Sequence, residues 1–241
     1  MELRLGLLYP SLMSLYGDRG NAMILARRAE RRGIAVTLSS IEPGSRPRYG
    51  LLDLTVGGGG QDREQRLIQP DLLRHGRELI AAVHDGLPLL AVCGTYQLLG
   101  HYYQTAGGER LAGLGLFDLV TVAEPGRLVG NIALRASLPG LARPTLAGFE
   151  NHAGRTYLGE TAPLGTVLHG HGNNGLDGGE GAVHLNCLGT YLHGPVLALN
   201  PHLADYLLDL ALARRYGTCP LPPPEEGDLE VEAHLAALAR F

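Results

Sequence analysis

The sequence contains no lysine; all 20 of its basic residues are arginine. That excludes a phosphate-binding loop of the G-x-x-x-x-G-K-[ST] type, and it excludes Schiff-base chemistry on a lysine. Cysteine is scarce. Cys93, Cys187 and Cys219 make an odd number with no C-x-x-C pair, which fits a reduced cytoplasm better than secretion. No apolar run approaches the roughly 20 residues that span a bilayer. The opening Met1-Glu2-Leu3-Arg4 is too short and acidic for a signal peptide. There is no basic run, and with a net charge of −4 this argues against a nucleic-acid partner.

What is present is a globular α/β pattern. At 241 residues the chain suits one domain with a small appendage. A chain of this size buries about 70–75% of its unfolded surface and needs no metal or disulfide to hold it. Leu3 to Tyr9, Ile34 to Ser39, Leu51 to Val56 and Leu87 to Val92 read as nearly continuous apolar strands, as expected when both faces are covered. Helical pattern lies between them. One helix is expected from about Asn21 to Arg32, and another is expected to open at Pro70, with Leu72, Leu79, Ile80 and Val83 on one face. A further helical stretch follows Cys93 to about His101. The alternation predicts a mostly parallel central sheet flanked by helices.

From Leu116 to Leu192 the pattern becomes strand-rich and glycine-rich, which predicts antiparallel additions and long loops. Asn200-Pro201 opens a last main helix that ends at Gly217. Residues 1–217 therefore form the expected domain. Residues 218–241 form a Pro/Glu-rich linker and a short terminal helix from Leu229 to Arg240.

The chemistry centres on Leu89-Leu90-Ala91-Val92-Cys93-Gly94-Thr95-Tyr96-Gln97. A buried strand runs into a cysteine, then a glycine, then a helix. That places the thiol on a sharp turn at a helix N-terminus, the cysteine counterpart of the serine nucleophile elbow. Helix-end amides favour the thiolate; cysteines so placed have pKa values lowered from about 8.5 to roughly 3.5–7.5. Cys187 sits in an apolar strand pattern and reads as core, and Cys219 lies in the linker. A base is needed. His193 ends a strand pattern in Gly189-Thr190-Tyr191-Leu192-His193-Gly194-Pro195, with His152 its rival. His169 and His171 form a His-x-His pair, but without ligands at metal spacing no metal site is assigned. Gly57 to Gly60 end a strand, where Gly58, Gly59 and Gly60 can offer N–H groups to a developing oxyanion.

These segments resemble a known family. Cys93-Gly-Thr-Tyr-Gln-Leu-Leu-Gly and Tyr191-Leu-His-Gly-Pro are similar to the nucleophile and base motifs of class I glutamine amidotransferases of the CobQ/CobB type. Leu15-Tyr-Gly-Asp-Arg-Gly-Asn21, Gly57-Gly-Gly-Gly-Gln-Asp-Arg-Glu64, Gly126-Arg127-Leu-Val-Gly-Asn131 and Gly148-Phe-Glu-Asn-His-Ala-Gly-Arg-Thr156 resemble one branch, the glutaminase subunits of lipid II isoglutaminyl synthases. The resemblance runs from about Leu7 to Pro201. It implies that Cys93 attacks the side-chain amide of L-glutamine and that His193 is the base. It implies that Gly94 joins the oxyanion hole, and that Arg127 and Gln97 hold the substrate. No cofactor is implied in this subunit. The ammonia would pass to a Mur-ligase-like synthetase of the MurT type, in a heterodimer. That partner would use ATP and Mg to amidate the D-glutamate of lipid II at the inner membrane face.

Two positions depart from the family pattern: Thr95 stands where a second glycine is usual, and Pro195 where many members carry glutamate. The site is then either a dyad, or another group orients His193, with Glu150 and Asn151 as candidates. The first strand begins at Leu3 and only about 25 residues follow the last main helix, so an ATP-using domain is expected on another chain. Two alternatives stand beside this reading: a glutaminase serving a cobyrinate-type amidation, and a non-catalytic binding scaffold.

Overall fold

The computed structural model describes residues 1–217, 220–223 and 229–240; Cys219 and part of the expected linker lie outside them. The first half is β1 (Glu2–Leu8), α1 (Arg19–Glu30), β2 (Ala35–Ile41), β3 (Leu54–Gly57), α2 (Asp62–His84), β4 (Leu89–Val92) and the short α3 (Gly94–Leu98). Then come β5 (Tyr102–Gln104), β6 (Arg110–Ala112), β7 (Leu119–Ala136), β8 (Thr145–Leu158), β9 (Gly165–His169) and β10 (Gly179–Glu180). The chain finishes with β11 (Ala182–His184), β12 (Cys187–Thr190), α4 (Val196–Leu199), α5 (Pro201–Tyr216) and α6 (Leu229–Leu238).

The central sheet has the order β11-β12-β4-β3-β1-β2. Every pairing in it is parallel except β11 on β12. The interior strands β3, β4 and β12 are buried along their whole length, which is why they are short and apolar. The second sheet has the order β10-β9-β7-β5-β6, with β8 hairpinned on β7. This is the strand-rich stretch expected after Leu116, and it carries the antiparallel additions.

Two element boundaries differ from expectation. Helix α2 begins at Asp62, not at Pro70, which lies inside it. A proline inside a helix costs about 3 kcal/mol. The burial of Ile68, Leu72, Leu79 and Val83, at roughly 1.5–3 kcal/mol each, outweighs it. Asp62 and Glu64 in the first turn suit the positive end of the helix dipole. Helix α3 stops at Leu98, short of His101. The chain there is claimed by the second sheet: His101 N–H donates to Leu119 O, and Tyr102 pairs with Val120.

Asn200 precedes α5, with Pro201 at its first turn, but the Asn200 side chain does not cap the helix. It exchanges hydrogen bonds with both backbone groups of Ala147, tying α5 to β8. Helix α6 folds back on the domain. Buried Arg28 of α1 pairs with Asp205 of α5 and with Glu230 of α6, and His234 Nδ1 lies 2.7 Å from Leu199 O.

Candidate active site

Cys93 sits where β4 ends and α3 begins, with φ 50° and ψ −108°, a left-handed conformation that a side chain rarely adopts. The strain aims the thiol off the sheet's carboxyl edge. Gly94 lets the turn close against the loop after β3: a Cβ there would lie 2.9 Å from Gly60 N and 3.0 Å from Gly60 O. Among the described residues neither Gly60 N–H nor Gly94 N–H takes a backbone partner. Both donors are therefore unclaimed by the backbone, and the two residues lie against each other.

Thr95 is buried and faces away from the substrate side. Its Oγ1 donates to Gly58 O at 2.7 Å, and its methyl group packs on Gly57. The residue that replaces the usual glycine thus pins the glycine loop. Gly59 N–H is committed elsewhere. It donates to Asp18 Oδ2 at 2.7 Å, so of the three loop glycines proposed for the oxyanion this one already has an acceptor.

His193 follows β12. Its backbone exchanges hydrogen bonds with Phe149 on β8, which fixes the ring between the two sheets. Its Nδ1 lies 3.2 Å from Asp18 Oδ1, and both residues are fully or almost fully buried. Burial pushes the imidazolium down, but Asp18 and the Cys93 sulfur overcome this and hold it up at about 10. Among the described residues Nε2 has no hydrogen-bond partner, and Cys93 lies close by: His193 Cε1 and Cys93 Cβ both border the space next to Gly59.

Asp18 is therefore the carboxylate that holds the His193 imidazole. It was not among the sequence-based candidates. Glu150 turns away, accepting from His171 N–H and Gly172 N–H, and Asn151 bonds Arg127 and Tyr16. The signal for Asp18 was its place in the Leu15–Asn21 segment, directly after β1 at the same sheet edge as Cys93. That segment is held by its neighbours. Gly20 lets α1 approach Pro195, since a Cβ there would lie 2.4 Å from Pro195 Cγ. Asn21 Oδ1 accepts from Leu197 N–H at 3.0 Å. The start of α1 and the loop after His193 are locked together, and Asp18 is delivered to the imidazole.

Beside Cys93 opens a cleft of about 570 Å³, lined by Gly60, Gln97, Tyr103, Arg127 and His152. Arg127 lies on its rim. Its Nε and Nη2 donate to Asn151 Oδ1 and O, at 2.6 and 2.7 Å, which leaves the guanidinium poised and partly exposed. Gln97 is buried in the wall, accepting from Gln65 and donating to Tyr191 OH. His152, the rival base, is stacked on Tyr191, and its Nδ1 is bound to Gly154 O. Cys187 is core, with its thiol pushed up by burial. His171 Nδ1 lies 2.7 Å from Glu150 Oε1. Among the described residues no helix is long and apolar enough to cross a membrane.

The CobB/CobQ-like glutamine amidotransferase domain matches residues 4–201. The chain is 40% identical over 229 residues to the Staphylococcus aureus lipid II isoglutaminyl synthase (glutamine-hydrolyzing) subunit GatD, covering 95% of this chain and 91% of that protein. It is 38% identical over 218 residues to the Streptococcus pneumoniae subunit of the same name, covering 90% and 83%. Similarity to the cobyric acid synthase of Pelotomaculum thermopropionicum is 34% over 178 residues, covering 64% of this chain and 33% of that protein. Among solved structures, a chain of Thermotoga maritima PurLQS superposes with a TM-score of 0.60 at 14% identity, covering 88% of this chain and 98% of that one. It shares the fold.

Proposed function

The chain belongs to the CobB/CobQ-like glutamine amidotransferase family, and from that premise we propose that it is the glutaminase subunit of a lipid II isoglutaminyl synthase. The observation that carries the chemistry is the Cys93–His193–Asp18 line beside an open cleft with an arginine on its rim. The Cys93 thiolate attacks the amide carbon of glutamine. The oxygen gathers negative charge in front of the Gly60 and Gly94 N–H groups. His193, held as imidazolium by Asp18, gives its proton to the departing nitrogen, and the carbon–nitrogen bond breaks to leave a γ-glutamyl thioester and ammonia. His193 then takes a proton from water, which attacks the thioester. The thiolate leaves and glutamate is released. Arg127 holds the substrate α-carboxylate, a charge its guanidinium suits.

The ammonia is consumed by an ATP- and Mg-using, Mur-ligase-like synthetase of the MurT type, bound as a heterodimer at the cytoplasmic face of the membrane. Coverage supports this acceptor over a cobyrinate: the lipid II subunits match nearly end to end, whereas the cobyric acid synthase matches over a third of its own length. The test is co-expression with the synthetase. The pair should associate and amidate lipid II with glutamine. Cys93→Ala should abolish that activity and leave the ammonium-dependent reaction intact. Glutamine-dependent amidation by Cys93→Ala, or two proteins that do not associate, would overturn the proposal.

A further inference from the structure

His152 stands beside Arg127 across the β7–β8 pairing, where Leu128 faces His152 and Val129 faces Asn151. Its ring lies flat on that of Tyr191, with centroids 3.6 Å apart and planes 4° from parallel. Its Nδ1 is 2.7 Å from Gly154 O, which can only accept, so Nδ1 carries the hydrogen. Burial holds this imidazole down at about 3, and the nearby Arg155, His193 and Arg127 add to it against the pull of Gly154. The ring is neutral, and Nε2 is a bare acceptor.

Among the described residues that acceptor has no partner. His152 is 2% exposed and lines the cleft, yet nothing donates to Nε2. Glu150 Oε2 is 4.0 Å away, too far for a hydrogen bond, and the Glu150 oxygens already accept from His171 N–H and Gly172 N–H. A buried acceptor left bare costs about 1–3 kcal/mol, so the site is built for a donor that arrives from the cleft.

Glutamine brings two sets of donors. Its side-chain amide must reach Cys93. Its α-ammonium sits on the same carbon as the carboxylate assigned to Arg127, the residue next door. We infer that His152 Nε2 accepts a hydrogen bond from the α-ammonium of glutamine, with the buried Glu150 carboxylate behind it as a second attraction for the cation. His152 is then a specificity-determining residue that makes the site read an amino acid rather than any primary amide. This rests on the glutaminase reading and on Arg127 as the carboxylate anchor.

The test compares glutamine with glutaramate, which has the same amide and carboxylate and lacks the amino group. The wild-type protein should prefer glutamine in kcat/KM. In His152→Leu that preference should shrink by roughly 10- to 100-fold, the range for a hydrogen bond to a charged group, through loss on glutamine alone. His152→Gln, which keeps an acceptor, should retain part of it. A second measurement leaves position 152 intact. In Cys93→Ala protein with 15N-labelled histidine, glutamine should shift the His152 Nε2 resonance and glutaramate should not. An unchanged preference in folded His152→Leu, or equal shifts with both ligands, overturns the inference. A wild-type protein that releases no glutamate from glutamine would instead sink the glutaminase reading on which it stands.

Discussion

Replacing Asp18 with asparagine isolates what the carboxylate does for His193. In the native site Oδ2 accepts from Gly59 N–H at 2.7 Å and Oδ1 faces His193 Nδ1 at 3.2 Å. Gly59 N–H can only donate. In Asp18→Asn the amide oxygen must therefore stay on Gly59, and the NH₂ group must face the imidazole. An NH₂ facing Nδ1 makes Nδ1 the acceptor and moves the ring hydrogen to Nε2. The nitrogen that should exchange a proton with the thiol and the leaving ammonia then holds the wrong tautomer, and the imidazolium loses both the bond and the charge that raise it. The corresponding change in a serine protease triad costs about 10⁴ in kcat. Cysteine ionises more readily than serine, so the expected loss here is about 10²–10³ in kcat/KM, or roughly 3–4 kcal/mol. KM should move little, because Asp18 does not border the cleft. Glutamate release would be followed from neutral pH past the His193 value of about 10. The wild-type rate should fall as His193 loses its proton there, and in Asp18→Asn the fall should move to lower pH. Activity within about threefold of wild type, with that limb unmoved, would refute the assignment of Asp18 as the orienting group.

Other outcomes follow from the same geometry. Arg127→Ala should raise KM for glutamine by about 10-fold or more with little change in kcat, read from steady-state kinetics, since a carboxylate anchor acts alike on ground and transition states. His193 is raised from about 6.5 in the unfolded chain to about 10 in the folded one. Its contribution to stability is full below about 6.5 and is lost as pH climbs through about 10. The Tm of the wild type should therefore fall more steeply over that window than the Tm of His193→Gln, and parallel curves would count against the raised value. Arg28→Ala should destabilise the protein by about 2–3 kcal/mol, because it cuts the link from α1 to α5 and α6 and opens a buried hole, while Arg32 still pairs with Asp205 and Arg31 with Glu230. Denaturant titration would read this as a lower midpoint, and an unmoved midpoint would count against Arg28 as the tie between the helices.

The parallel half of the fold was legible because its inner strands are buried on both faces and are mostly apolar; the edge strand β2 is largely exposed and carries Thr37, Ser39 and Ser40. The place of Cys93 was legible for a related reason: an apolar strand that runs into Cys-Gly and then a helix puts the cysteine on the turn between them, where β4 and α3 leave it. The start of α2 was hidden by Pro70, since local propensity argues for a break that tertiary burial of Ile68 and Leu72 overrides. Asp18 was hidden by distance along the chain. It meets His193 across 175 positions, through the packing of Gly20 on Pro195, and neither local pattern nor charge announces that contact. Glu150 and Asn151 stood as the candidates instead. The structure spends the first on the His171–Gly172 loop and the second on Arg127 and Tyr16.

The sheet order also has a consequence for how the protein is made. The strand that leads into His193 lies beside β4 near the middle of the sheet, yet it is among the last strands to leave the ribosome. Until it arrives, the flank of β4 is open and Cys93 has no imidazole. A chain cut before Ala182 would hold the Cys93 thiol at a helix end with no His193 beside it. Synthesis thus brings the Cys93 thiol and the His193 imidazole together only when the core is closed.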